Sequence, residues 1–394
     1  MKIALCFSQF GPYHHARAAA LRELVGEAHF IAVQIAAATR TYAWKQEKSA
    51  ETGLRTLCAG AEEDAEFIRV YHAAARLWRE EKVTVALLPS YSPASSLALL
   101  LSAKRAGVRC VMMNESHAGT EKARGLKRLV KRYLVSLFDG GLVGGGPQVR
   151  HFINLGMAKE RLVTGYDAVD NRFFAEAARK ARKDAVAQRA RLGLPSRYIL
   201  SLGRMVPKKN LECLIDAFAY ALQEAPNYTP RLVFVGSGDC QEALVQRCRD
   251  HRLSVNTRPD ARNHAQDVLF YGFRQIEENP VFYALADAFI LPSLYEEWGL
   301  VVNEAMACGL PVLVSDRVGS AEDLVHPEVN GYHFSPRDPK ELGSQLLKLE
   351  ANPELSQRMG RASEEIIAYW GCERFARQAV KICTLVCPPE GTAS

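Results

Sequence analysis

A chain of 394 residues is too long for one ordinary core, which predicts two domains. Its 48% apolar and 24% charged residues are a globular balance, and exclude a disordered or fibrous chain. The net charge of +6 admits anionic substrates or an acidic surface and requires neither, and no aromatic-basic platform points to nucleic acid. No apolar run reaches the ~18 residues needed to cross a bilayer. The opening run Met1–Phe7 is too short for a secretion signal and reads as a first strand. The ten cysteines form no CxxC pair and read as reduced or buried thiols of a cytoplasmic protein.

Apolar runs alternate with amphipathic helical patterns. Strands are predicted at Lys2–Phe7, His29–Ala36, Val83–Leu88, Val108–Met113, Gly141–Val143 and Arg161–Gly165, with helices such as Tyr13–Leu24, Ser92–Ala106 and Ala123–Leu137 between them. A second series follows: Tyr198–Leu202, Arg231–Val235, Asp267–Tyr271, Ala288–Leu291, Pro311–Ser315 and Gly331–Phe334. This alternation predicts α/β architecture, two doubly wound Rossmann-like domains with parallel sheets facing a central cleft. The predicted boundaries are 1–175 for the first domain, a polar linker over 176–192, and 193–370 for the second. A last helical segment over 371–394 could pack back on the first domain. In such sheets ligands sit beyond the C-terminal strand ends, so the loops there are the place to look for chemistry.

Within the helical pattern of the first half, 122–137 carries Lys122, Arg124, Lys127, Arg128, Lys131 and Arg132, interleaved with Leu126, Leu129, Val130, Leu134 and Val135. That pattern fits a helix drawn to the anionic inner leaflet of a membrane, and equally a surface helix with a solvated basic face.

The second half holds the informative loops. After the strand ending near Leu202 come Gly203, Arg204 and Lys209. Gly203 allows close backbone approach, Arg204 offers a planar fork and Lys209 a point charge, a pair suited to a diphosphate; a basic surface loop is the plainer reading. Gly236 begins Gly-Ser-Gly-Asp, which is not a dinucleotide fingerprint because Gln241 stands where a third glycine belongs. Gly272-Phe273 ends another strand and suits backbone contact to a base edge, or a simple turn.

The segment Tyr295–Gly309 sets Glu296 in a loop and Glu304 eight residues later on a helix that Gly299-Leu300 opens and Gly309-Leu310-Pro311 closes. Two like charges ~4 Å apart cost roughly 4 kcal/mol at an effective dielectric of ~20, so these carboxylates belong on hydroxyls and not on phosphate. Phosphate falls to Arg204, Lys209 and the amides at Gly299 and Leu300. Hydroxyls at both ends and a diphosphate between them describe a nucleotide sugar. Glu297 reads as an acid at a helix start and nothing more.

These residues resemble the retaining glycosyltransferases of family 4, which have the GT-B fold. The resemblance runs over about 195–370: Glu296 and Glu304 fall on the family's EX7E pair, with Trp298 where Phe is usual, and Gly203-Arg204 with Lys209 on its diphosphate motif. It implies a hexose-type transferase using a UDP- or GDP-sugar, with no cofactor and no metal. Arg204 and Lys209 would hold the diphosphate, Glu304 the ribose and Glu296 the donor sugar. In the first half, Gly11 occupies the loop after the first strand with His14, His15 and Arg17 behind it, facing acceptor or phosphate or simply filling the first turns of a helix. Glu115 and His117 follow the strand where the family often places a histidine near the reacting centre. The resemblance implies front-face transfer with retention, onto a glycan, lipid-linked or small-molecule hydroxyl, as in envelope or exopolysaccharide synthesis. A glycoside hydrolase, or a binder of nucleotide sugars without catalysis, is the competing expectation.

Overall fold

The computed structural model describes residues 1–39, 53–260 and 267–388. The chain divides into two compact units, one of residues 1–170 with 370–394 and one of residues 171–369.

Among its described residues the first unit holds seven strands: Ile3–Phe7 (β1), Phe30–Ala38 (β2), Arg55–Ala61 (β3), Val85–Leu88 (β4), Arg109–Asn114 (β5), Gly140–Val143 (β6) and Leu162–Thr164 (β7). They form one sheet in the order β3-β2-β1-β4-β5-β6-β7, parallel at every pairing. The inner strand β1 is buried along its whole length, as a strand covered by helices on both faces must be. Val70, Ala74 and Trp78, one turn apart, bury one stripe of the helix Phe67–Glu80, and Trp78 Nε1 donates to Ser102 Oγ at 3.0 Å. The final helix Cys372–Val386 lays Phe375, Ala376, Ala379, Ile382 and Cys383 into the core beside Ile3 and Leu5. Residues 389–394 lie outside the described residues.

The second unit repeats the design with Tyr198–Leu202 (β8), Arg231–Val235 (β9), Val255–Asn256 (β10), Val268–Phe270 (β11), Ala288–Leu291 (β12), Val312–Ser315 (β13) and Gly331–Phe334 (β14). The order is β10-β11-β9-β8-β12-β13-β14, again parallel throughout. Its late helices start on side-chain caps with proline in the first turn. Asp338 accepts from the amides of Lys340 and Glu341 ahead of Pro339–Glu350, and Asn352 from that of Leu355 ahead of Pro353–Ile367.

The expected linker over 176–192 is instead helical. Helices Asn171–Lys183 and Ala185–Leu192 occupy it, with Phe174, Ala178 and Ala181 buried. Arg182 donates to the carbonyls of Ala284 and Cys308, and Arg189 to those of Pro195 and Leu285. Arg182 and Arg189, expected in a polar linker, therefore cap backbone carbonyls of the second unit.

Candidate functional site

Three strand ends of the second unit leave the sheet at backbone contact. Gly203 N donates to Val235 O at 2.9 Å and Gly236 N to Gly272 O at 2.8 Å. A Cβ on Gly236 would overlap the carbonyl oxygen of Gly203, and its φ of +134° disfavours any side chain. Glycine is thus required at 236 by the close crossing of the loops after β8 and β9, and the result is a flat backbone floor beyond the strand ends. Arg204 and Phe273 stand exposed beside it, Phe273 at 45%.

The carboxylate loop is laced to the basic loop next to this floor. Lys208 Nζ lies 3.0 Å from Glu296 Oε1, and Lys209 Nζ 2.5 Å from Oε2; Ser293 Oγ adds a third donor at 3.1 Å. Burial alone would raise the Glu296 carboxyl, but Lys209 and Lys208 more than offset it and hold it below the usual carboxylate range. Glu297 Oε2 takes a second bond from Lys208 at 2.9 Å. Burial would lower the Lys208 ammonium, and Glu296 and Glu297 together push it above the usual lysine range. The backbone ties the same loops: Leu294 N donates to Lys208 O at 2.8 Å. Asn210, in the left-handed region, donates to the carbonyls of Pro292 and Pro336.

Gly299 then turns the chain with φ +95° into the helix Leu300–Ala307. A Cβ there would crowd Leu291 at 3.1 Å and Glu296 at 3.4 Å. Glu304 is fully buried and accepts from the Tyr283 hydroxyl at 2.9 Å. Trp298 is also fully buried, and its Nε1 donates to Asn303 Oδ1 at 2.9 Å.

The second unit therefore gathers Gly203, Arg204, Lys209, Gly236, Glu296, Gly299 and Leu300 around its strand ends, with two differences from expectation. Glu297 is not a bystander, since it completes the socket of Lys208, and Lys208 itself was missed. The signal was present as a lysine doublet, 208-209, facing a glutamate doublet, 296-297. Glu304 and Trp298 lie in the interior in this structure, so both act there on the position of the helix and its loop.

Of the first-unit candidates, Gly11, Arg17 and His117 are buried, and His14, His15 and Glu115 are half-buried. Gly11 caps the helix Pro12–Val25, and its amide donates to His14 Nδ1 at 3.0 Å. The His14 ring stacks on Phe7 at 4.0 Å; burial first, then the charges of Arg17 and His15, lower its pKa to about 3. The Nδ1 of His14 is thus engaged by its own helix start. His15 packs edge-on to Phe10 at 5.3 Å. Arg17, 2% exposed, donates from Nε to Ala168 O at 2.9 Å and lies over Tyr166, which places it inside the unit instead of facing a ligand. His117, 8% exposed, caps the turn Ala118–Thr120 by accepting from Gly119 N at 3.2 Å. Glu115 accepts from Gln148 through its carbonyl and hydrogen-bonds the Asp167 carboxyl through its side chain. Burial first, then the Glu115 charge, raises Asp167 well above the usual range despite Arg17 at 4.0 Å.

Two cavities of the second unit differ in position. A cleft of about 520 Å³ opens at the N-terminal strand ends, between Arg197, Asp287 and Glu350. A cavity of about 10 Å³ lies beside Gly203, Arg204 and Lys209 at the C-terminal ends, where parallel sheets place ligands. The loop geometry, and not the larger volume, marks the site.

Residues 184–366 match the family model described as glycosyl transferases group 1. An uncharacterised glycosyltransferase of Methanocaldococcus jannaschii is 35% identical over 143 residues, 36% of this chain and 33% of that protein. The D-inositol 3-phosphate glycosyltransferase of Streptomyces bingchenggensis is 32% identical over 194 residues, 48% of this chain and 41% of that protein. The chain thus spans less than half the length of these curated relatives. Among solved structures, Anabaena HepE in complex with UDP superposes with a TM-score of 0.71 at 17% identity, over 98% of this chain and all of that one. The fold, two seven-stranded parallel α/β units, matches GT-B glycosyltransferase structures.

Proposed function

We propose that this chain is a retaining glycosyltransferase that moves a hexose from a UDP- or GDP-sugar to an acceptor hydroxyl. The observation that carries the reading is Glu296, ionised between Lys208 and Lys209 next to the Gly299 turn that opens a helix. An anionic diphosphate fits beside Lys209, Arg204 and the amides at Gly299 and Leu300, and Glu296 is left to accept from sugar hydroxyls. Departure of the diphosphate is favoured by positive charge and amide dipoles already in place. The acceptor hydroxyl attacks on the leaving-group face and its proton passes to the departing phosphate, so no general base is required. The family-model match over this unit and the UDP bound by HepE support the donor class.

The test is thermal unfolding with UDP, GDP, ADP and dTDP, since a ligand that binds only the folded chain raises its melting temperature. The expected result is a shift with UDP or GDP that Lys209→Ala reduces. No shift with any of the four overturns the reading.

A further inference from the structure

The helix Leu126–Ser136 carries its apolar stripe on the wrong side. It follows Gly125 and is held to the first unit near its C-terminal end by buried Val135 and, just past it, buried Phe138. Lys131 adds an ion pair to Glu121 at 2.6 Å. Leu126, Leu129, Val130 and Tyr133 stand at i, i+3, i+4 and i+7, within roughly 100° of arc, and Val135 points about 180° away from the middle of that arc. These four are 76%, 60%, 51% and 65% exposed. A surface helix ordinarily turns such a stripe to the core; here it faces solvent.

Charge selects the occupant. Lys127, Arg128 and Arg132 flank the stripe and are exposed, as are Lys122 and Arg124 just before the helix. From 121 to 137 the sole acidic residue is Glu121, already held by Lys131 and the Ala123 amide. A second copy of the chain would bring the same cationic patch against this one. An anionic lipid surface offers hydrocarbon to the stripe and phosphate to its flanks. Among the described residues no helix is long and apolar enough to cross a membrane.

We propose that Leu126–Ser136 docks this chain on an anionic lipid surface, with Leu126, Leu129, Val130 and Tyr133 at the acyl boundary and Lys127, Arg128 and Arg132 at the headgroup phosphates. The proposal does not rest on the donor-site reading, because every residue it uses lies in the first unit.

Flotation of the full chain with two vesicle types tests it: phosphatidylcholine alone, and phosphatidylcholine with about one-third phosphatidylglycerol. The wild-type chain is expected to float with the anionic vesicles, less so at high salt, and to stay behind with the neutral ones. Arg128→Gln with Arg132→Gln should lower the partition coefficient at least about tenfold, since each basic group near such a surface is worth roughly fivefold. Leu126→Ser with Leu129→Ser and Tyr133→Ser should abolish flotation without lowering the melting temperature, because all three side chains are exposed. Equal flotation with neutral vesicles, none with anionic ones, or full flotation of the triple variant overturns the proposal. So does a wild-type dimer on sizing that the triple variant abolishes, which would make the stripe a contact between copies.

Discussion

Lys209 Nζ stands 2.5 Å from Glu296 Oε2, so the cation suited to a diphosphate and the carboxylate suited to sugar hydroxyls are already in contact. Lys208 closes the other oxygen and reaches on to Glu297. Two lysines and two glutamates cancel across the contact between the two loops. An ammonium has three donors, so Lys209 can keep Glu296 and still meet a phosphate oxygen. The same pairing holds Glu296 ionised at neutral pH.

Removing Lys209 therefore does two things: it deletes a proposed donor to the diphosphate and leaves Glu296 with less neutralisation. Lys209→Ala is expected to lower kcat by about 100-fold, within the range seen when a preorganised donor to developing charge is lost. Arg204→Ala should also lower kcat, because it removes the other cation proposed to meet the diphosphate. Initial rates at saturating nucleotide sugar decide this, and wild-type rates in both variants contradict the site.

Tyr283 is the buried donor to Glu304. Tyr283→Phe keeps the ring and removes the hydroxyl, leaving a fully buried carboxylate one donor short. The expected cost is roughly 1–3 kcal/mol of stability, read by urea unfolding, with weaker nucleotide binding as the helix Leu300–Ala307 loosens. An unchanged unfolding midpoint would mean that Glu304 draws its stabilisation from other donors.

Central strands were legible because burial on both faces writes them as unbroken apolar runs; β8, β9 and β12 fall where the sequence places them. The strands β3 and β10 were not: Arg-Thr-Leu-Cys-Ala-Gly-Ala has no such run, and Val255–Asn256 is only two residues long, whereas the edge strand β14 keeps its apolar residues and was legible. Glu296 and Lys209 were legible as loop residues after strand ends. Their direct contact was not, nor was the interior place of Arg17, because its partners Asp167 and Ala168 lie some 150 residues along the chain.

Gly236→Ala tests the backbone floor. The new Cβ would overlap the Gly203 carbonyl, a backbone atom that cannot swing aside, and would sit at positive φ. Overpacking and strain each cost roughly 1–3 kcal/mol, so a loss of about 3 kcal/mol or more is expected in chemical unfolding. Gly272→Ala meets no atom within 4 Å and carries only the strain of its φ of +69°, so it should cost less. Equal losses would show that steric overlap at 236 does not matter.

The Asp167 carboxyl shares a hydrogen bond with Glu115, and burial together with that neighbour raises its pKa well above the usual value. An unfolded aspartate titrates near ~3.9. Between about pH 4 and the raised folded value, the folded chain keeps a proton that the unfolded chain has released. Stability should therefore fall as pH rises through that window, by at most about 1.4 kcal/mol per pH unit for one proton, and level off above it. Asp167→Asn keeps a neutral side chain at every pH and should remove the slope. Glu115→Gln takes away the like charge, leaves Arg17 as the main electrostatic neighbour, and should flatten the slope in part. Urea unfolding of the three proteins between about pH 4 and pH 8 separates these outcomes: parallel profiles would show that Asp167 ionises alike folded and unfolded, and that the Glu115 contact holds no proton.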